Sequence, residues 1–210
     1  SKLSADSVKL YMPYFKEPIY GEITDKADLF LREIDRVYPT FSSYEKRISI
    51  PKIFNGIDYN GGFLVKGKTL AGYGDKENLA VLIVQKDNQE FITAKSTYFG
   101  ITYSGITSKK CAVKIAIDNT YITHDGLNFS YSKKQNSIEL ARPFKGLGTT
   151  PFENFYHMMD MTPSRIIYKM GDSKLKLTYP FRCTDDLKIA NFESKNFFDG
   201  RLFDRFKGYE

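Results

Sequence analysis

Apolar and polar residues alternate along several short stretches of the chain, and this period of two predicts β-strands. In CAVKIAID, every second residue from Cys111 to Ile117 is apolar. Side chains two apart lie on the same face of a strand, so we expect this face to lie in the core. The stretch LAVLIV, from Leu79 to Val84, is apolar throughout, which is typical of a strand covered on both faces.

Polar turns join these stretches into hairpins. LAVLIVQKDNQEFITA has the order strand, turn, strand, and LNFSYSKKQNSIELA repeats that order farther along. A third hairpin is predicted in RIIYKMGDSKLKLTY, with its turn at Gly171 and Asp172, and the sequence Asn60-Gly61-Gly62 predicts another turn. Antiparallel hairpins in series form either a sandwich or a stacked, solenoid-like sheet, and the sequence leaves both open.

Three segments predict short helices. Apolar residues at helical spacing indicate one amphipathic helix before Pro39 and another at the carboxyl end. Thr150 followed by Pro151 predicts the start of an inserted helix near 151–161. The apolar positions are Leu29, Phe30, Ile34 and Val37 in the first helix, Phe152, Phe155, Tyr156 and Met159 in the inserted helix, and Leu202, Phe203 and Phe206 in the tail.

These patterns together predict a mainly β fold with a few short helices, in three parts. Residues 1–48 form an extended lead and an amphipathic helix. Residues 49–183 form a strand-rich core that contains the inserted helix. Residues 184–210 form a further strand and a helical tail, which we expect to continue into a longer parent chain.

Composition supports the β prediction and narrows the partners. The chain has 15 Tyr, 17 Phe and no Trp, and aromatic residues are favoured on pleated sheets. Its net charge is +6, but the longest basic runs are Lys109-Lys110 and Lys133-Lys134, so we predict a solvated basic surface and no nucleic-acid site. Because no apolar run approaches the ~20 residues of a membrane helix, we predict no transmembrane segment.

The sequence contains no recognisable catalytic, cofactor or metal motif. There is no serine elbow and no phosphate-binding loop, and GYGDKEN, with Asp75 and Glu77, predicts a turn better than a calcium loop. Two cysteines, Cys111 and Cys183, are too few for a zinc site. We expect Cys111 to be a buried thiol, with a bridge to Cys183 as the open alternative. We predict no catalytic residue, no cofactor and no metal.

Two histidine–aspartate pairs are candidate polar sites. His124 is followed by Asp125 and a glycine, where we expect a tight bend between two strands. There we expect His124 to hydrogen-bond to the bend, with an acid–base role as the alternative. His157 precedes Asp160 by three residues, so the two share a face of the predicted inserted helix.

Several tyrosines on or near predicted strands are candidate binding residues. An exposed tyrosine can stack on a ligand and hydrogen-bond to it, as glycan and peptide sites require. The period of two instead directs about half of such residues to the core. The candidates are Tyr98, Tyr103, Tyr121 and Tyr131, and Tyr168 belongs to the same group.

Five phrases carry a resemblance to known sequences: PTFSSYEKR, GGFLVKG followed by GYGDKEN, DNTYITHDGLNFSY, PFENFYHMMDM and FESKNFFDGRLFDRFKG. Together they resemble segments of very large, uncharacterised proteins of Bacteroidota that are presumed to be exported to the cell envelope. The resemblance spans most of the chain and implies an amino-terminal portion of such a protein, in the periplasm or outer envelope. It implies no activity, so it assigns no functional residue.

These observations lead to three functional hypotheses. The first is a non-catalytic module that serves structure or protein interaction, in which sheet edges and the apolar carboxyl-terminal tail contact a protein partner or the rest of the parent chain. The second is a glycan-binding module that uses a tyrosine-rich strand face. The third is an envelope hydrolase, which predicts a deep pocket that holds His124 or His157 beside carboxylates.

Overall fold

A computed structural model describes residues 2–12, 15, 17–26, 38–67, 69–143, 149–178 and 192–195. These residues form 17 strands and no α-helix, so the prediction of a mainly β fold is confirmed. Among them there is also no helix of the length and apolarity that crossing a membrane requires. The predicted helix before Pro39 and the predicted helical tail lie outside the described residues.

The strands are β1 (Lys2–Leu10), β2 (Ile19–Lys26), β3 (Thr40–Ser43), β4 (Ile48–Phe54), β5 (Ile57–Lys66), β6 (Thr69–Tyr73), β7 (Ala80–Lys86), β8 (Gln89–Ser96), β9 (Tyr98–Thr102), β10 (Gly105–Ile117), β11 (Thr120–Ser132), β12 (Ser137–Ala141), β13 (Phe152–Asn154), β14 (Met159–Met161), β15 (Arg165–Lys169), β16 (Leu175–Thr178) and β17 (Phe192–Ser194).

All strands belong to one antiparallel sheet, in which three long strands have different neighbours along their two halves. Strand β10 pairs with β9 through residues 105–107 and with β8 through residues 112–115. Strand β5 pairs with β7 through residues 57–60 and with β6 through residues 62–66. Strand β11 likewise pairs with β13 and then with β12. The sheet therefore has two rows of strands, joined end to end through β5, β10 and β11.

Each row has its own strand order. The first row runs β4, β5, β7, β8, β10, β11, β13, β14, β17. The second row runs β1, β2, β3, β5, β6, β9, β10, β11, β12, β15, β16. Strands β1 to β3 thus continue the second row, because β3 pairs with β5 across the predicted boundary between residues 48 and 49.

Compensating β-bulges lie where the two rows meet. Strand β10 has an extra residue between Ser108 and Cys111, and β11 has one between His124 and Leu127. Lys110, in the first bulge, has a positive φ of 56°. Because a bulge bends a strand and increases its twist, the two bulges form a crease across the middle of the β10–β11 hairpin.

Contacts between aromatic rings show that the rows fold face to face along this crease. Phe54 lies at the outer tip of the first row and Tyr131 near the outer tip of the second, yet their ring centroids are 5.1 Å apart. Phe91 and Tyr168, also near opposite outer tips, are 4.8 Å apart. The fold is therefore a sandwich whose two faces belong to one continuous sheet, with the core between them.

The three predicted hairpins are present, and the predicted core face is buried. Strands β7 and β8 turn at Asp87 and Asn88, which both have positive φ as a two-residue type I′ turn requires. Hairpins β11–β12 and β15–β16 follow the same order. Cys111, Val113 and Ile115 are buried between the rows, and Ile117, the last residue of that face, is partly buried.

The turn predicted at Asn60-Gly61-Gly62 is wrong, because these residues lie in the middle of β5. The glycines meet a packing need instead of forming a turn. A Cβ atom at Gly61, or at Gly72 of β6, would overlap the phenol group of Tyr59. The Tyr59 hydroxyl reaches back and donates a hydrogen bond to the Gly62 carbonyl. Glycine is used here so that a buried ring can lie flat across two strands.

The inserted helix predicted near 151–161 is also wrong. Residues 152–154 and 159–161 form the antiparallel hairpin β13–β14, joined by a turn. Asn154 fixes that turn, because its Oδ1 accepts hydrogen bonds from the N–H groups of Tyr156 and His157, both at 3.0 Å. Phe152 and Asn154, two residues apart, both point inward. The strand-like alternation of buried residues therefore determines the structure here, despite the helix-start signal of Thr150 and Pro151.

A glycine pair tests the packing of the Tyr59 ring. We expect Gly72→Ala to lower the free energy of unfolding by about 1 to 3 kcal/mol, because the new methyl group overlaps a buried ring that cannot move away. Gly100→Ala on the adjacent strand is the control, since its Cβ would meet Thr107 Oγ1 at 3.3 Å, a contact that a small shift relieves. Urea unfolding measures both. Equal losses would contradict this account of Gly72.

Candidate functional site

His124 lies inside a continuous strand and uses both of its ring nitrogens. Its Nδ1 accepts the N–H of Gly126 at 3.0 Å, and its Nε2 lies 3.0 Å from the carbonyl oxygen of Thr150. A carbonyl oxygen can only accept, so Nε2 carries the hydrogen and the ring is neutral. The side chain is only 3% exposed and packs 4.9 Å from the Phe152 ring. The ring thus ties the bulge of β11 to the segment before β13.

The bend predicted at Asp125-Gly126 is wrong, since these residues form the bulge within the 13-residue strand β11. Adjacent strand residues point to opposite faces, so His124 is buried while Asp125 is exposed. Burial lowers the pKa of His124, and the Thr150 carbonyl opposes that shift in part. A neutral ring whose two nitrogens are both hydrogen-bonded to backbone groups is suited to a structural role.

The pair His157 and Asp160 is also not assembled as a site. His157 is exposed in the β13–β14 turn, where its ring packs edge-on against Tyr156 at 4.6 Å. Asp160 lies on β14, and its Oδ1 is 3.2 Å from the ammonium group of Lys195. The described residues contain no group of three or more histidine, cysteine, aspartate or glutamate side chains that could hold a metal ion.

The candidate tyrosines do not form one platform. Tyr131 is buried against Phe54, so its assignment as a surface binding residue is wrong, and Tyr168 is buried in the same way. Tyr121 is half-buried on the first row, where its ring packs at a tilt against that of Phe155, with centroids 4.8 Å apart. Of the five candidates, Tyr98 in β9 and Tyr103 in the turn that follows are the most exposed, at 42% and 86%.

Tyr98 lines a surface depression of about 510 Å³ on the outer face of the second row. The depression lies beside the β10 bulge, and its other outward-facing side chains are Thr107, Lys109, Asn128 and Ser130. An aromatic ring among hydroxyl, amide and ammonium groups can stack on a polar ligand and hydrogen-bond to it. Tyr103 lies in the neighbouring turn and does not line this depression.

Two other polar or nucleophilic groups have structural explanations. Asp75 Oδ1 accepts the N–H groups of Glu77 and Asn78, which makes GYGDKEN the predicted turn. The hydrogen bond from Lys46, 2.7 Å long, is the main reason that the pKa of Asp75 falls to about 2. Burial raises the pKa of the free Cys111 thiol to about 12, which makes it a poor nucleophile. The alternative bridge involves Cys183, outside the described residues.

The open edges of the sheet are the candidate site that the structure supports best. Strand β1 pairs only with β2 among the described residues, and its side chains from Lys2 to Ser7 are exposed. At the other end of the second row, β16 pairs only with β15 in the same part of the chain. An unpaired strand edge presents a row of N–H and C=O groups that can pair with another chain.

An apolar groove of about 410 Å³ lies beside the β16 edge, between the two rows. The sequence suggested sheet edges as contact sites but gave no sign of this groove. Its walls come from strands that are far apart in sequence and are brought together only by folding. The lining side chains are Ile117, Ile122, Asn154, His157, Met159, Met161, Ile166, Leu175 and Leu177.

Comparison of the chain with models of known protein families, with curated proteins and with solved structures gives no match. The resemblance to exported proteins of Bacteroidota therefore stays a prediction from the sequence phrases.

The buried imidazole predicts a pH dependence of stability. The folded-state pKa of His124 lies below its unfolded value, so the unfolded chain binds more protons. The contribution of the neutral ring is complete above the unfolded pKa of about 6.5 and is lost as the pH falls toward the folded pKa. We expect His124→Gln to remove up to about 1.4 kcal/mol per pH unit from the slope of the unfolding free energy below pH 6.5.

Urea unfolding between pH 5 and pH 8 measures this slope, and His157→Gln is the matched control because that side chain is exposed in a turn. A slope that responds to His157→Gln and ignores His124→Gln would contradict the role assigned to His124.

Proposed function

We propose that this chain is a non-catalytic module of a large exported cell-envelope protein and that it serves structure or protein interaction through the edges of its sheet. The observation that carries the proposal is the β1 edge, nine residues long and exposed along most of its length. Proteins that do not use such an edge usually shorten it, cover it, place charges inward on it or interrupt it with a bulge. Strand β1 has a bulge between Ala5 and Val8, so its regular edge is the stretch from Lys2 to Ala5. The sequence phrases support the envelope location.

The other candidate sites add support, because their reactive groups have structural roles. His124 is neutral and bonded at both nitrogens. His157 is exposed in a turn, and Asp160 lies next to Lys195. No observation on the described residues favours the envelope hydrolase, which needs a histidine and a carboxylate facing one cleft.

Site-specific photocrosslinking tests the β1 edge. A photoreactive amino acid is placed at Leu3 of β1, or at Tyr103 in an exposed turn, in the chain exported to the periplasm of a Bacteroidota host. We expect position 3 to crosslink to one defined segment of an envelope protein, identified by mass spectrometry, and position 103 not to do so. Crosslinks of equal yield from both positions, or none from position 3, would overturn the proposal.

Proline substitutions at neighbouring positions provide the matched control. Successive N–H groups of a strand point to opposite sides, so one of Ser4→Pro and Ala5→Pro removes an N–H facing β2 and the other removes one facing away. Both side chains are exposed, so neither change leaves a cavity. We expect the proline on the outward side to lower the crosslink yield at least tenfold, and the other to have the smaller effect.

Glycan binding is the second candidate, and the Tyr98 depression favours it. Of the predicted tyrosine face, only the Tyr98 ring lines this depression of about 510 Å³, beside four polar side chains. A site of this kind orients a sugar by stacking and by a few hydrogen bonds.

A glycan array probed with the chain tests the second candidate. We expect any glycan that binds to lose at least tenfold in affinity with Tyr98→Ala, because the stacking ring is removed, and to be unaffected by Tyr103→Ala, which removes a more exposed ring outside the depression. Absence of binding to every glycan, or equal losses from both variants, would exclude this function.

A further inference from the structure

The inner face of β16 is incompletely covered by the described residues. Leu175 pairs with Tyr168 and Leu177 with Ile166 on β15. Directly paired residues point to the same face of a sheet, so both leucines are directed toward the sandwich interior. Yet Leu177 is 42% exposed while Ile166 is 1% exposed. The exposed apolar surface is therefore an unfinished part of the core.

The opposite end of the sandwich is finished by the amino-terminal lead. The Phe15 ring packs edge-on against the buried Phe63 ring at 4.8 Å. Val8, Leu10 and Met12 also pack against the core there. Among the described residues, the β16 end has no such cover, and this difference between the two ends points to an added element at β16.

The groove beside β16 has the position that a further strand would need. Met159 and Met161 of β14 form its wall on the first row, and Leu175 and Leu177 form its wall on the second. An adjoining depression of about 530 Å³ near the hairpin tips shares Ile117 and Leu175 with the groove, but most of its other side chains are polar or charged: Lys86, Asp87, Gln89, Glu90, Asp118 and Ser173. A strand paired with β16 would place every second side chain over the apolar groove.

The outer face of β16 specifies the charge of such a strand. Lys174 and Lys176 are exposed and alternate with the inward leucines. Within the described part of the chain neither lysine has an ion pair, whereas Arg165 of β15 is paired with Glu139 at 3.1 Å. Opposite charges facing each other across strands are favourable, so acidic residues on the outer face of an added strand would fit.

We infer that the β16 edge accepts an extended segment of a partner protein in which apolar residues alternate with acidic ones. Its backbone pairs with β16, its apolar side chains enter the groove, and its carboxylates lie beside Lys174 and Lys176. This inference rests on the proposed function, protein interaction through sheet edges, and it names the partner chemistry at one of those edges.

Synthetic peptides test the inference on the full 210-residue chain. The probe is an end-blocked eight-residue peptide of alternating valine and glutamate, and the control is the same peptide with lysine for glutamate. At low ionic strength we expect the glutamate peptide to bind at least tenfold more tightly, with the advantage shrinking as salt is added. Hydrogen exchange should slow at the β16 amides when this peptide binds.

Variants of the chain separate charge recognition from apolar contact. The double substitution Lys174→Glu and Lys176→Glu should reverse the preference, so that the lysine peptide binds more tightly. Leu177→Ser should weaken both peptides at least fivefold, because it removes an apolar wall of the groove. Leu79→Ser changes a similarly exposed leucine in the loop before β7, away from both edges, and should leave both affinities unchanged.

Three results with the peptides would overturn the inference. These are no binding of either peptide, binding without protection of β16, and a preference for the glutamate peptide that persists in the Lys174→Glu, Lys176→Glu double variant. Protection of β16 in the free chain together with dimerisation in light scattering would also overturn it, because a second copy would then cover the edge. The crosslink from Leu3 does not depend on β16. If the peptides fail to bind β16 but the crosslink forms, the proposed function stands and only this inference is wrong. If the crosslink does not form, the proposed function itself is wrong.

Discussion

The fold depends on the burial of one apolar face of a sheet that consists of two rows of strands joined end to end. Alternation places Cys111, Val113 and Ile115 on one side of β10, and a flat sheet of this width would leave that side in water. Folding the sheet on itself brings its two halves together and supplies the missing cover. The bulges of β10 and β11 make this possible, since they bend the backbone while most of the hydrogen-bond ladder is kept.

The sequence predicted what depends on neighbours along the chain. The hairpin turning at Asp87 and Asn88 follows from residues that tolerate positive φ between two alternating runs. Sequence reasoning failed where distant contacts decide. Gly61 looks like a turn residue until the Tyr59 ring that covers it is seen. Thr150 and Pro151 look like a helix start, but Asn154 and the pairing of β13 with β11 stabilise a hairpin.

The candidate site was only partly predictable for a related reason. Whether a tyrosine faces solvent depends on strand register. Tyr98 and Tyr131 both lie on predicted strands, yet Tyr98 is exposed and Tyr131 is buried. The side chains of the groove beside β16 come from six different strands and one turn. Only the edge itself could be anticipated, because a series of hairpins with no closing element leaves strands at its ends.

The sharing of β10 and β11 between the two rows has a consequence for how the chain folds. Each strand has 13 residues, and the two are joined by a turn at Asp118 and Asn119, so they can pair early through contacts that are local in sequence. Once formed, this single hairpin is the template on which both faces of the sandwich grow outward. Formation of this one hairpin therefore fixes the strand on which each face is built, so the two layers are covalently and register-wise linked from the start.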